Sequence, residues 1–512
     1  MNLSITGRQT SLTRRSLLAA PFAARAALSM QYSSAARPNV LFIVVDDLRC
    51  ELGCYGRSWV KSPNIDRLSR SGVTFENAYC QIALCSPSRT SVLTGLRPDQ
   101  TRIFDLRTHF RKYLPNATTL PQYLKKNGYV TTGFSKIYHL GNHTPGGLDD
   151  PDSWSEPSWH PGGPPWGTRA CRRQAALQRQ ELLSNQWTCD IALAGFRPGQ
   201  GGAAWEAPSV EPLDIPDSRF TDAQTTDAAL AALPQLRGRP FFLGVGYLNP
   251  HLPFNAPKRF FDLYPPGSER MPSRRKPPQG VPEAALHNWG ELRQYNDIAW
   301  NGELPDQKAR ELIRGYYAAT SFVDAQIGRL LDGLEQAGLA ENTVVALWGD
   351  NGFHLGDHGL WCKHTNFEEA TRVPLILRLP KNRHAGKRVA TPVELVDLYP
   401  TLAELAGLQV PSGLAGTSLR PLIEDPRRQR TAPAWSQFPR RIPVKGDVMG
   451  YSLRTSRYRY TEWRTPDRTV VGRELYDYED DPEESANLAE QPARAAIVRE
   501  LSRLMEEGLS RA

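Results

Sequence analysis

The sequence predicts an α/β protein, a parallel sheet covered by helices on both faces, followed by a smaller C-terminal α+β unit. From Pro38 onward short β-rich runs alternate with helical patterns, as they do when strands are joined by helical crossovers. Several of those runs are apolar without alternation, which marks strands buried on both sides. Near the C-terminus strict apolar/polar alternation appears and predicts a second, half-exposed sheet.

Taken in order, residues 40–45 (VLFIVV) give the first buried strand, and 130–134, 241–245 and 343–348 read the same way. Residues 120–126 form a helix with Pro121 in its first turn and Gly128 past its end. The clearest helix spans 306–338, where Leu312, Ile313, Tyr316, Val323, Ile327, Leu330, Leu331 and Leu334 recur near a 3.6-residue period and Gly338 suits the stop. Residues 148–218 are rich in Pro, Gly and Trp without periodicity and read as a long ordered insertion. Residues 426–433 resemble a linker, 451–463 a strand pair and 495–509 a terminal helix. The expected organisation is an export segment (1–36), a main domain (37–428) and a C-terminal subdomain (429–512).

The 512 residues are 40% hydrophobic and 23% charged, with 40 Gly and 42 Pro. That balance excludes a coiled coil, a collagen and a mostly disordered chain. No apolar stretch approaches the roughly 18–20 residues that cross a bilayer. Residues 1–36 carry paired Arg14-Arg15, a weak apolar run and small residues up to Ala36, the pattern of a cleaved twin-arginine export signal; an amphipathic helix is the alternative. Export to the periplasm or medium is expected. Cleavage would remove Arg8, Arg14, Arg15 and Arg25 and no acid, taking the formal charge from +8 to +4. This modest excess favours an anionic substrate and does not call for nucleic acid.

Seven cysteines are too sparse for a disulfide scaffold. Cys171 and Cys189 flank a polar loop and are a plausible bridge, whereas Cys50, Cys54 and Cys80 read as small buried residues.

The residues just past each strand carry the chemistry. Asp46-Asp47 stands after the first, Ser135-Lys136 and His139 after the next, Pro250-His251 after the third and Asp350-Asn351 after the fourth. Ligands of open α/β sheets bind beyond the carboxyl ends of strands, so these residues are expected to converge. Alone, Asp-Asp after a strand is a turn or cap and Asp-Asn-Gly a common turn. Together, three carboxylates and an amide oxygen form a hard-oxygen set suited to Ca²⁺ and less to Mg²⁺.

The segment Cys85-Ser86-Pro87-Ser88-Arg89, followed by Leu93-Thr94-Gly95, resembles the type I sulfatases, in which this cysteine is oxidised to formylglycine after translation. Pro87 suits a first helical turn, so the segment should open a helix whose N–H groups face an oxyanion, with Arg89 as a fixed charge beside it. A hydrated aldehyde at position 85 carries two hydroxyls, one to attack sulfur and one to expel sulfate. It would sit against the metal.

The resemblance runs along most of the chain and is strongest to the iduronate-2-sulfatase branch, carried by residues 133–139, 246–254, 356–363 and 395–402. It implies an alkaline-phosphatase/sulfatase-like fold with a large mixed, mostly parallel sheet, and a formylglycine-generating enzyme as a maturation partner. It also implies that Lys136 and Lys363 hold sulfate oxygens, His139 orients the formylglycine hydroxyl and His251 protonates the leaving alcohol of a sulfated carbohydrate. Two departures stand out: Asn351 replaces that branch's histidine, and Phe353 its tryptophan. Arg440, Arg441 and Lys445 lie where uronate-selective relatives hold a sugar carboxylate, and are equally readable as a solvated basic turn. A phosphonate monoester or phosphodiester hydrolase and a non-catalytic binder of sulfated glycans are the alternative functions.

Overall fold

The structure, a computed structural model, describes residues Met1, 37–139, 148–161, 208–443 and 446–510. Its strands are β1 (Asn39–Val45), β2 (Val73–Tyr79), β3 (Val130–Ser135), β4 (Val210–Leu213), β5 (Phe241–Tyr247), β6 (Phe254–Pro257), β7 (Thr343–Gly349), β8 (His354–Leu355), β9 (Trp361–Cys362), β10 (Arg372–Arg378), β11 (Lys387–Val389), β12 (Val393–Glu394), β13 (Ala434–Ile442), β14 (Gly446–Arg454), β15 (Tyr458–Arg464) and β16 (Val470–Asp477).

Eight strands form the central sheet in the order β11-β2-β10-β7-β1-β5-β3, with β12 also on β2. Strands β7, β1, β5 and β3 are parallel, whereas β10 runs antiparallel to both β7 and β2. The sheet is mixed and mostly parallel. Along β1, Val40, Phe42 and Val44 join an apolar cluster with Val92, Leu93, Leu398 and Leu402. Leu41, Ile43 and Val45 join another with Val323, Ile327, Leu330, Leu331 and Leu334 of the helix Asp306–Gln336. Both faces are dry, so neither set of alternate positions tolerates a polar side chain. The long helix ends before Gly338, whose φ of +69° belongs to the left-handed region that glycine adopts without strain.

Strands β13–β16 form a separate antiparallel sheet. The helix Ala495–Leu509 lays Leu501 and Met505 against Leu453, Tyr460 and Leu475 on it. β13 reaches the main sheet's loops: the Gln437 N–H donates to the Gln81 carbonyl at 2.8 Å and Ser436 Oγ to the Cys80 carbonyl at 2.6 Å.

Three expectations change. Cys80 is fully buried, but Cys50 and Cys54 are only partly so, because they lie in the connection after β1, Cys50 in a loop and Cys54 in the single 3-10 turn Gly53–Tyr55. The stretch 426–433 has no helix or strand, yet Arg430 pins it to Asp397 and Glu394, so it is tied down rather than a free linker. The antiparallel β10 has no counterpart in the strand-by-strand reading. The export segment, the Cys171/Cys189 pair, Lys445 and most of the 148–218 stretch lie outside the described residues. Among the described residues, no helix is long and apolar enough to cross a membrane.

Candidate active site

Strand register builds the site. β1 and β7 pair with Val45 opposite Gly349, so the residues next in the chain, Asp46-Asp47 and Asp350-Asn351, emerge side by side. Two backbone bonds extend the pairing past the strand ends: Asp46 N–H to the Tyr247 carbonyl at 3.1 Å and Asp350 N–H to the Val45 carbonyl at 3.2 Å. β3 pairs with β5 through Ser135 opposite Gly246, which delivers Lys136 to the same edge. A Cβ on Gly246 would stand 2.1 Å from the Lys136 carbonyl oxygen, so glycine is required for this approach.

The helix Cys85–Thr94 begins at Cys85 itself, which is 1% exposed. The N–H groups of Cys85 and Ser86 stand outside the helix's own hydrogen-bond ladder, and the Cys85 Sγ lies within 4.8 Å of side-chain atoms of Asp46 and His251. Arg89, one turn on and fully enclosed, donates Nε to Asp350 Oδ2 at 2.7 Å, Nη2 to Asp46 Oδ1 at 3.0 Å and Nη1 to the Lys136 and Ile137 carbonyls. It is a clamp on the acidic residues rather than a free charge beside the nucleophile position.

Oxygens of Asp46, Asp47 and Asp350 lie within 4.8 Å of one another, and a second group joins Asp46, Cys85 and His251. Asn351 Nδ2 donates to Asp47 Oδ1 at 2.7 Å, while its buried Oδ1 finds no donor. Lys136 Nζ pairs with Asp46, and Lys363 Nζ donates to Asp47 Oδ2 at 2.8 Å. His251 turns Nδ1 to the Leu252 carbonyl at 2.6 Å and Nε2 toward Asp47 Oδ2 at 3.7 Å. Its turn is fixed by Asp222, which accepts from the N–H groups of Leu248 and Asn249. Among the described residues the buried Nδ1 of His139 has no hydrogen-bond partner.

Electrostatics follow from this crowding. Burial pushes the Asp46 carboxyl up, but Lys136 and Arg89 outweigh it and hold the group well below the usual carboxylate range. Asp350 moves the other way: burial raises it by more than Arg89 offsets, and the neighbouring Asp46 and Asp47 charges add to the rise. Burial and the Lys136 charge drive His139 down, leaving a neutral ring. Three carboxylates and an unpaired amide oxygen in one dry pocket fit a hard divalent cation, which would relieve the repulsion felt at Asp350.

The description "Sulfatase" is that of the family model matching residues 38–408 of this chain, and the C-terminal model of N-sulphoglucosamine sulphohydrolase matches 356–510. The chain belongs to the sulfatase family. Its relatives include iduronate 2-sulfatase of Homo sapiens, 36% identical over 88% of this chain and 90% of that protein, and of Mus musculus, 35% identical over 90% and 93%. Among solved structures, the phosphonate monoester hydrolase of Agrobacterium radiobacter superposes with a TM-score of 0.69 at 22% identity, over 93% of this chain and 96% of that one. This likeness concerns the fold. As a sulfatase, the protein is a sulfuric ester hydrolase.

Within this sulfatase all ten residues singled out from the sequence gather at one end of the sheet. Of the basic C-terminal trio only Arg440 and Arg441 are described, and they differ in surroundings. Arg440 is buried over the Phe438 ring, donates to the His364 and Pro439 carbonyls and, among the described residues, has no carboxylate within ion-pair distance. Arg441 is exposed and pairs loosely with Asp447 at 3.9 Å. Both line a cavity of about 700 Å³ with Arg464 and Arg468. Sequence reasoning missed Glu291, whose Oε1 stands 3.0 Å from both His251 Nε2 and Lys363 Nζ. It comes from the loop-rich stretch between residues 262 and 305, where neither period nor motif marks it.

Proposed function

We propose that this sulfatase removes sulfate from a sulfated sugar, a glycosaminoglycan or related polysaccharide fragment, using formylglycine at position 85 and one calcium ion held by Asp46, Asp47, Asp350 and Asn351. The observation that carries the reading is the buried Asn351 Oδ1, left without a donor beside three clustered carboxylates and the Cys85 helix start. An unpaired buried acceptor costs about 1–3 kcal/mol unless a ligand satisfies it. The cation, when bound, would polarise the sulfate ester and favour ionisation of the attacking hydroxyl. The aldehyde made from the Cys85 thiol, once hydrated, supplies the nucleophilic hydroxyl and a second one for release.

This chain's own residues then have distinct tasks. Arg89 fixes the Asp46 and Asp350 carboxylates. Lys136 and Lys363 take the sulfate oxygens, trading their carboxylate contacts for the incoming anion. His139, neutral, orients the hydroxyl at position 85. His251 gives its Nε2 proton to the departing sugar oxygen. The relatives named for iduronate 2-sulfate favour an acidic sugar. Residues 1–36 would direct export, and 37–428 and 429–512 would act as catalytic domain and subdomain.

The test is turnover of defined sulfated disaccharides and an aryl phosphonate by calcium-loaded protein co-produced with a formylglycine-generating enzyme. Conversion of Cys85 lowers its peptide's mass by about 18 Da. Sulfated disaccharides should be cleaved only when that change is present. A clear preference for the phosphonate, or an unmodified Cys85 in protein from the native host, would overturn the reading.

A further inference from the structure

Outside the catalytic cluster, the cavity of about 700 Å³ beside the C-terminal sheet is lined by four guanidinium groups, Arg440, Arg441, Arg464 and Arg468, and by two carboxylates, Asp99 and Asp447. Its size is that of a small-molecule site. The partners of these groups leave positive charge over. Glu462 and Glu506 account for Arg464. Asp99 is occupied by neutral donors, Gln437 Nε2 at 2.7 Å and the Tyr451 hydroxyl at 2.9 Å. Asp447 reaches only Arg441, at 3.9 Å, and both side chains are exposed. Arg468, exposed on the turn between β15 and β16, has no carboxylate within ion-pair distance among the described residues and acts on Glu506 only from farther off. Arg440 is 6% exposed, its Nη atoms donate to the Pro439 and His364 carbonyls, and its Nε is buried with no partner among the described residues. Burial, which Glu474 offsets only in part, lowers its pKa to about 9, and the group keeps its charge at neutral pH. A buried charge is costly unless an anion meets it.

None of the ten site residues lines this cavity, yet it adjoins them. Arg440 donates to the carbonyl of His364, next in the chain to Lys363, and Asp99 lies in the short helix Pro98–Thr101 that follows the Cys85 helix. We propose that the cavity is a second anion subsite, taking a sulfate or carboxylate on the sugar next to the one that loses its sulfate. The favoured substrate is then a disaccharide or longer chain with negative charge on that neighbour. Guanidinium groups hold either anion through paired N–H donors. Arg440, fixed by two carbonyls and the Phe438 ring at 4.4 Å, is ordered before the ligand arrives and supplies the enclosed contact. Arg441 and Arg468 supply the contacts on the solvent side. The inference rests on the sugar sulfatase reading and extends it by one sugar.

The experiment separates the two. Calcium-loaded protein carrying formylglycine is given one sulfated sugar in four forms: alone, linked to a neutral sugar, linked to a sulfated sugar and linked to a uronic acid. Release of the first sugar's own sulfate is followed in each. The parent should favour a charged neighbour over the neutral one by roughly tenfold or more in kcat/KM, and the neighbour that gives the preference identifies the anion as sulfate or carboxylate. Arg468→Asn is the main variant, because residue 468 has a φ of +70° and asparagine tolerates the left-handed region. It should raise KM on the charged disaccharide roughly tenfold with kcat unchanged, and stay within about twofold of the parent on the single sugar and the neutral disaccharide. If it does not fold, Arg441→Gln, also exposed, should give the same selective loss. A parent without the preference, or a variant that keeps it, would overturn the proposal while sugar sulfate turnover stands. An equal loss on the single sugar would assign the cavity to the sugar being cleaved, which also overturns it. No sulfate release from any of the four forms would sink the sugar sulfatase reading itself.

Discussion

Two buried ionic clusters in this chain contrast in how completely they satisfy themselves. Between the β13–β16 sheet and the catalytic region, Glu368 accepts from Tyr79 and Tyr478 and pairs with Arg459. Glu484 accepts from Tyr478 and the Glu368 N–H and pairs with Arg459 Nε at 2.8 Å. All four carboxylate oxygens there have donors, although Arg454 Nε and His358 Nδ1 at the edge of the cluster are buried without a hydrogen-bond partner among the described residues. In the cluster beyond the strand ends, Asn351 Oδ1, Glu291 Oε2 and His139 Nδ1 are buried and have no hydrogen-bond partner among the described residues. Buried polar groups are normally paired, so carboxylates supplied with all their donors mark a structural joint, and acceptors left over beside clustered carboxylates mark a place prepared for a cation.

The largest expected effect falls on the open cluster. Cys85→Ala should abolish turnover, by about four orders of magnitude or more, while calorimetry finds the melting temperature nearly unchanged. Substantial retained activity would remove the nucleophile assignment. Next, Asp350→Ala should lose both bound calcium, measured by metal analysis, and rate by about 10³-fold. Unchanged metal content would take Asp350 out of the ligand set and blur the contrast.

The closed cluster should respond the other way. Glu368→Gln should cost about 3 kcal/mol of stability, because Arg459 and Arg454 lose their buried counter-charge, while kcat of the folded fraction stays within about twofold. Its pH signature is also defined. Burial raises the Glu368 carboxyl, but Arg454 and Arg459 outweigh this and bring it down to about 2. A depressed folded value means stabilisation that is full above the unfolded value near 4.5 and is lost as pH falls from there toward 2. Acid unfolding curves should therefore flatten over that window in the variant. The smallest effect belongs to an exposed pair: Arg503→Ala on the terminal helix, opposite Glu507, should change stability by less than about 0.5 kcal/mol.

Legibility in the sequence followed the same physics. β1, β3, β5 and β7 were readable because strands enclosed on both faces leave unbroken apolar runs. β2 was not, since VTFENAY carries Glu76 and Asn77 on its partly exposed positions, and β10 was hidden by Pro374 and its flanking arginines. The acids, lysines and histidines were readable because the chemistry restricts which residue types can stand after each strand. Arg89 was found, but its part as a clamp was visible only once Asp46, Asp350 and the Lys136 carbonyl surrounded it. Glu291 and Asp222 reach the site through tertiary packing of segments with no periodicity of their own, so nothing local announces them.

The unbroken register between β1 and β7, Asn39 through Val45 against Thr343 through Gly349, makes chain length as consequential as residue identity. A single residue inserted into either strand would carry one acidic pair past the other by a full step and turn each side chain to the opposite face. Tolerance to insertions and deletions should therefore fall to its minimum in these two seven-residue runs, even where every acidic side chain is retained.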